Sequence, residues 1–292
     1  MIARGWSGLL AALLLLAGCD STPTAPSEPP RPALWQVIGP AGQTGWLFGT
    51  VHALPRHYGW RTAKLDQALA ASGTLVLEIA DIDDKAGIAR VFRGLSQSRG
   101  LPPLSARIPP AQRKALAHWL DKAGMEESQF ATTETWAVAL MLAQATSGED
   151  SGDGVESKLA QLARGKPVVE LEGVRLQLGT FDTLPEADQR DLLGAVLADA
   201  DTAADDTRKL AGDWRTGRVD AIAAETRKGL LADPELRKVL LVDRNIAWVA
   251  KIEALLKAGR RPFVAVGAAH VSGRDGLPAL LARRGWAVRR IQ

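Results

Sequence analysis

Pro262–His270 reads PFVAVGAAH, and Leu47–His52 reads LFGTVH. Each is a short apolar run followed by a glycine, two small residues and a histidine. Apolar runs of this length, bounded by Pro or Gly, are buried strands. The glycine lets the backbone turn, or be approached closely, where the strand ends. Each imidazole therefore projects just past a strand end. The two segments lie about two hundred residues apart, so both ends of the chain contribute to one sheet. In open α/β sheets ligands bind in the crevice beyond the carboxyl ends of the strands. Two imidazoles from adjacent strands meet there.

Further along the chain, Leu34–Ile38 and Trp46–Phe48 are apolar runs separated by Gly39, Pro40 and Gly42, which predicts a β-hairpin. Thr74–Ile79 (TLVLEI), Pro167–Leu171 (PVVEL) and Trp286–Ile291 read as further strands. Helical patterns cover Lys64–Ala71, Asp83–Leu95, Pro109–Lys122, Thr133–Ala145, Val155–Arg164 and Gly276–Arg284. Thr132 is placed to cap the fourth of these. Ser147–Gly154 (SGEDSGDG) is a connecting loop inside a domain. From about Gly173 to Gly259 every segment reads as helix, with breaks near Pro185, Gly217 and Pro234. The expected fold class is α/β, a mixed sheet built from N- and C-terminal segments with a large all-helical insertion. It forms a single domain over residues 33–292.

The chain holds four histidines, so two in the same local setting are informative. Glu78 lies inside TLVLEI, where a charge is costly unless paired or metal-bound. Glu170 and Glu172 stand at the end of PVVEL. Three strand ends thus each deliver a His or a Glu. Two histidines and a carboxylate suit a divalent ion, with His52, His270 and Glu78 as its ligands. The other reading of Glu78 is an ion pair with an arginine at the sheet edge. Asp243-Arg244-Asn245 opens a helix, with Asp243 as its N-cap. Arg244 carries a planar fork suited to a substrate carboxylate or an oxyanion, or equally to an ion pair with Glu170 or Glu172. His57 and Tyr58 read as a surface turn, His118 has no assigned role, and the nine tryptophans read as core.

The first nineteen residues, MIARGWSGLLAALLLLAGC, have a positive Arg4, a short apolar stretch from Gly8 to Leu16 and small residues before Cys19. They read as a signal peptide over residues 1–18. Leu16-Ala17-Gly18-Cys19 resembles a bacterial lipobox, which implies lipidation of Cys19, the only cysteine in the chain. The implied partner is a membrane reached through that lipid anchor. The implied location is the periplasmic face of the cell envelope. Asp20 resembles an inner-membrane retention signal. Residues 19–32 are Pro/Ser/Thr-rich and read as a disordered tether. With 36 basic and 33 acidic residues spread along the chain, no basic stripe calls for a nucleic-acid partner.

LFGTVHALP, LVLEI, GKPVVELEG, DRNIAW and FVAVGAAHVSGRDGLPALLARRGWAVRRI, in that order, resemble the TraB/PrgY/GumN family, which is related to the Tiki proteases. The resemblance runs from about Leu34 to the C-terminus. It implies a fold shared loosely with erythromycin esterase-like and ChaN-like proteins. It also implies a metal-dependent peptidase activity, with His52, His270 and Glu78 as the functional set. The H-E-x-x-H helix of classical zinc proteases is absent.

The expected function is therefore metal-assisted, peptidase-like hydrolysis at the envelope. A Mn, Co or Zn ion on His52, His270 and Glu78 activates a water. Glu170 or Glu172 moves the proton, and Arg244 and Asn245 orient a peptide substrate. One alternative is a metal-independent hydrolase in which a histidine is the base and a glutamate orients it. The other is a non-enzymatic lipoprotein that binds haem, a metal or a protein partner, with Tyr58 the one tyrosine available to haem.

Overall fold

A computed structural model describes residues 28–52, 54–55, 58–146 and 154–292. The expected signal peptide, Cys19, Asp20, His57 and most of the Ser147–Gly154 loop lie outside the described residues. Six strands form one open sheet: β1 (Leu34–Ile38), β2 (Thr44–Thr50), β3 (Thr74–Leu77), β4 (Val168–Glu170), β5 (Pro262–Gly267) and β6 (Ala287–Arg290). Their order is β4-β3-β5-β2-β1-β6. The β1–β2 hairpin is antiparallel, as is the β1–β6 pair, while β2, β5, β3 and β4 run parallel. The four parallel strands therefore end on one side of the molecule.

The helices are α1 (Ala63–Ala71), α2 (Lys85–Leu95), α3 (Arg113–Lys122), α4 (Thr135–Thr146), α5 (Val155–Leu162), α6 (Gly173–Asp182), α7 (Glu186–Asp199), α8 (Ala203–Arg215), α9 (Val219–Glu225), α10 (Pro234–Arg237), α11 (Asp243–Lys257) and α12 (Leu277–Arg283). Strand alternation sends neighbouring side chains to opposite faces. Phe48, Leu75, Leu77, Phe263 and Ala265 pack with Leu65 of α1, Val155 and Leu159 of α5 and Trp214 of α8. Leu47, Val76, Val264 and Val266 pack on the other face with Trp248 and Ile252 of α11 and Leu277 of α12. Because both faces are covered, the parallel strands read as continuous apolar runs.

The mixed α/β fold and its helical insertion are as expected. The helical part is larger than residues 173–259, however. Helices α3 and α4, which precede β4, share a separate core with α7, which follows it. The α4 helix begins at Thr135, not Thr133. Thr133 bridges to Gln97, and the Thr132 hydroxyl donates to Gln97 Oε1 at 2.8 Å in place of capping the helix. Asp243 is not an N-cap either. A π-helical turn at Lys238–Val242 runs straight into α11, and the Asp243 carboxylate accepts from Lys238 Nζ at 2.5 Å.

Within the stretch expected to be a tether, Arg31 N donates to Arg215 O at 2.9 Å, and Arg215 Nη1 donates to Glu28 O at 2.5 Å. Residues 28–31 are therefore fastened to α8.

Candidate functional site

The ends of β2, β3 and β5 open into a cavity of about 460 Å³. His52, Glu78, Arg244 and His270 all line it, so the three strand ends do converge. The two histidines nevertheless belong to different halves of the fold. In the sheet Gly49 stands beside Val266, so the two glycines are one residue out of step. Beyond Gly267 the chain tightens into a 3-10 turn, Ala268–Val271. That turn packs so closely on β2 that a Cβ at Gly49 would meet Val271 Cγ2 at 2.8 Å. Only glycine leaves room there.

His270 is buried, its ring 4.4 Å from that of Trp248 between centroids. Its Nδ1 is 2.7 Å from Asn245 Oδ1, and its Nε2 is 3.3 Å from Arg244 Nη1. Asn245 Nδ2 donates to Asp275 O at 2.8 Å, which turns Oδ1 toward the imidazole. The network therefore assigns the ring proton to Nδ1, with Nε2 accepting from Arg244. Burial, then the positive charge of Arg244, pushes this histidine well below its usual pKa. It is neutral, and both of its nitrogens are engaged.

Arg244 is the hub of the network. Its Nε donates to Glu172 at 3.0 Å and its Nη1 to Leu240 O at 3.1 Å and to His270; its Nη2 donates to Glu78 Oε2 at 2.9 Å and to Glu172. The five N–H donors of a guanidinium thus face five acceptors. Glu78 is equally occupied. Its Oε1 accepts from Gly267 N at 2.7 Å, and its Oε2 also accepts from Gln177 Nε2 at 3.1 Å. Backbone bonds from Glu172 N and Gly173 N to Glu78 O draw the second carboxylate in. The Arg244 fork then bridges two like charges at once. This is the ion-pair alternative for both Glu78 and Arg244, with Glu172 and not Glu170 as the second acid. Glu170 is exposed and accepts weakly from Ala80 N at 3.4 Å. It is not among the cavity-lining residues. Asn245 orients His270 and does not point to a ligand.

His52 is different. Its side chain is 70% exposed, and its Nδ1 is 3.0 Å from Oε1 of Glu156, a carboxylate buried at the first turn of α5. The Thr50 hydroxyl donates to the same oxygen at 2.6 Å. Glu156 Oε2 is buried and has no hydrogen-bond partner among the described residues. Burial alone pushes the Glu156 carboxyl up, but the bonds from His52 and Thr50 outweigh it and bring it below its usual value. In return, the hydrogen bond and charge of Glu156 raise His52 from 6.5 to about 9. No described residue bonds His52 Nε2.

The model of the TraB/PrgY/gumN family matches residues 33–290. The chain belongs to this family. It is 32% identical to an uncharacterized protein, YbaP, of Escherichia coli (strain K12), over 259 residues covering 85% of this chain and 92% of the relative. It is 29% identical to the YbaP of Shigella flexneri over the same shares. No solved structure matches.

The metal expected of a Tiki-like member of the family does not fit these residues. Among the described residues no group of three or more His, Cys, Asp or Glu side chains is placed to hold an ion. The reason is physical. The Arg244 cation stands between Glu78 and His270, where a Mn, Co or Zn ion would compete for the same lone pairs, and His52 is tied to Glu156. This overturns the metal-dependent peptidase reading, its cofactor and its ligand set. The membrane partner and the envelope location also need correction. Among the described residues no helix is long and apolar enough to cross a membrane. The longest, α11, has 15 residues and carries Asp243, Arg244, Lys251, Glu253 and Lys257, whereas a span needs about 20 mostly apolar ones. Cys19, the expected lipidation position, lies outside the described residues.

Glu156 escaped sequence reading because an acid in the first turn of a helix is the ordinary complement to the helix dipole. The available signal was its spacing. Glu156, Leu159 and Ala163 fall at i, i+3 and i+7 on the stripe that is buried. Trp248, read only as core, also lies under Arg244, with Cζ 4.7 Å from the ring centroid.

Proposed function

We propose that the cavity is the centre of a metal-independent hydrolase in which the His52–Glu156 pair moves the proton. The supporting observation is that His52, which lines the cavity, has its Nδ1 held by a buried carboxylate while no described residue engages its Nε2. A carboxylate that fixes one imidazole nitrogen orients the other for acid–base work. The deprotonated ring takes a proton from water as the oxygen adds to a substrate carbonyl. The imidazolium then returns that proton to the leaving group as the acyl bond breaks. Because Glu156 keeps His52 largely protonated at neutral pH, the base form grows as pH rises toward about 9.

The test is hydrolysis of activated esters by the purified chain. His52→Ala lowers kcat/KM by about 10²–10⁴-fold, and activity survives full chelation. In Glu156→Gln the rise of rate with pH moves to lower pH, because the charge that raises His52 is gone. Undiminished turnover in His52→Ala, or activity lost to chelator and restored by a divalent ion, would sink the reading.

A further inference from the structure

The strand ends and α11 bring His52, Glu78, His270 and Arg244 to the cavity. The aliphatic lining comes largely from the helical insertion. Leu210 and Ala211 of α8, Ile222 of α9 and Leu231 of the 3-10 turn at Gly229–Ala232 face the cavity, and Val51 joins them from the end of β2. Thr207 and Thr226 add small polar groups at its edges, and Glu225 beside them is paired with Lys209 and Lys228. Arg244, Glu78, Gln177 and His270 are engaged with one another. No described residue engages His52 Nε2, and the His52 side chain lines the cavity. A volume of about 460 Å³ lies toward the low end of the roughly 300–1,000 Å³ typical of small-molecule pockets.

We infer that the cavity takes an aliphatic acyl compound, with its carbonyl group beside His52, where a water activated there can reach it, and its hydrocarbon chain along the α8–α9 wall. The inference names a substrate class for the proposed hydrolase and rests on that reading for the chemistry at His52. The apolar wall carries it independently. Water against Leu210, Ile222 and Leu231 gains nothing from those side chains, whereas each methylene laid against them leaves water. Burial of one methylene strengthens binding by about four-fold. A neutral acyl group also suits the charges, since His52 is already engaged by Glu156 and Arg244 by Glu78 and Glu172, which leaves neither cation for an anionic ligand.

The test separates binding from turnover. Straight-chain 2-alkanones, which present a carbonyl but no leaving group, are titrated calorimetrically into the full chain, from butan-2-one to decan-2-one. Affinity is expected to rise by up to about four-fold per methylene and to level off once the wall is covered. Leu210→Gln and, on a different element, Leu231→Gln are both half-buried positions and flatten that rise. Circular dichroism shows which variants are folded, and either one suffices. Affinity independent of chain length, or an undiminished rise in the folded variants, overturns the inference. A chain-length series that appears without any ester hydrolysis leaves the inference standing and defeats the hydrolase reading instead. Ester hydrolysis indifferent to acyl length does the reverse.

Discussion

Gly49–His52 and Gly267–His270 are the same four-residue pattern at the ends of neighbouring parallel strands, yet their histidines do opposite things. His270 is enclosed, packed at a tilt against Trp248, hydrogen-bonded at both nitrogens and held neutral. His52 is open to the cavity, bound at one nitrogen and held as a cation by Glu156. The difference arises beyond the motif. The 3-10 turn after Gly267 folds its histidine toward the α11 face of the sheet. His52 instead meets α5, whose Val155 and Leu159 pack on the other face. A repeated motif fixes where two side chains leave the sheet. The helices packed on each face fix what they become.

The most damaging way to test the contrast is to remove the hub of the closed half. Arg244→Met leaves Glu78 and Glu172 as buried carboxylates without their counter-charge. It is expected to destabilise the fold by about 3–5 kcal/mol, read as a lower midpoint in urea unfolding. A change below about 1 kcal/mol would mean that the network contributes little. His270→Gln, next in size, deprives Asn245 and Arg244 of partners and is expected to cost about 1–3 kcal/mol. His52→Gln, at the solvent-exposed member of the pair, is expected to lower stability near neutral pH by less than either, because solvent screens the His52–Glu156 pair, while ester turnover falls.

The smallest effect sharpens the comparison most, because the two histidines give stability opposite dependences on pH. The folded pKa of His52 is raised from 6.5 to about 9, so its contribution is complete below about pH 6.5 and is lost as pH climbs through 9. The folded pKa of His270 is depressed, so its unfolded form binds the extra proton and stability falls as pH drops below 6.5. Denaturation midpoints measured from pH 5 to 10 are expected to lose their alkaline decline in His52→Gln and to soften their acid decline in His270→Gln. Identical profiles in the two variants would erase the distinction.

Much of this molecule was legible beforehand because its signals are local. The runs LWQVI, FVAV and LVL are apolar enough, and bounded closely enough by Gly and Pro, to be strands wherever they sit. The position of Pro185 and Pro234 at helix starts follows from the fixed φ of proline. The convergence of His52, Glu78 and His270 on one cavity follows from parallel strands ending on the same side. The ligand set failed for a reason no local pattern carries. Arg244 reaches Glu78 across 166 positions of chain and Glu172 across 72, and whether a buried acid meets a metal or a guanidinium is decided by that packing.

By itself the sequence determined the strand ends, the residues that leave them and the family to which the chain belongs, since hydrophobic pattern and turn chemistry act over a few residues. Only the tertiary structure decided which histidine is closed and which is open. It also placed Glu156 behind one and Asn245 behind the other, because burial, charge pairing and proton affinity depend on groups that meet only when distant segments pack.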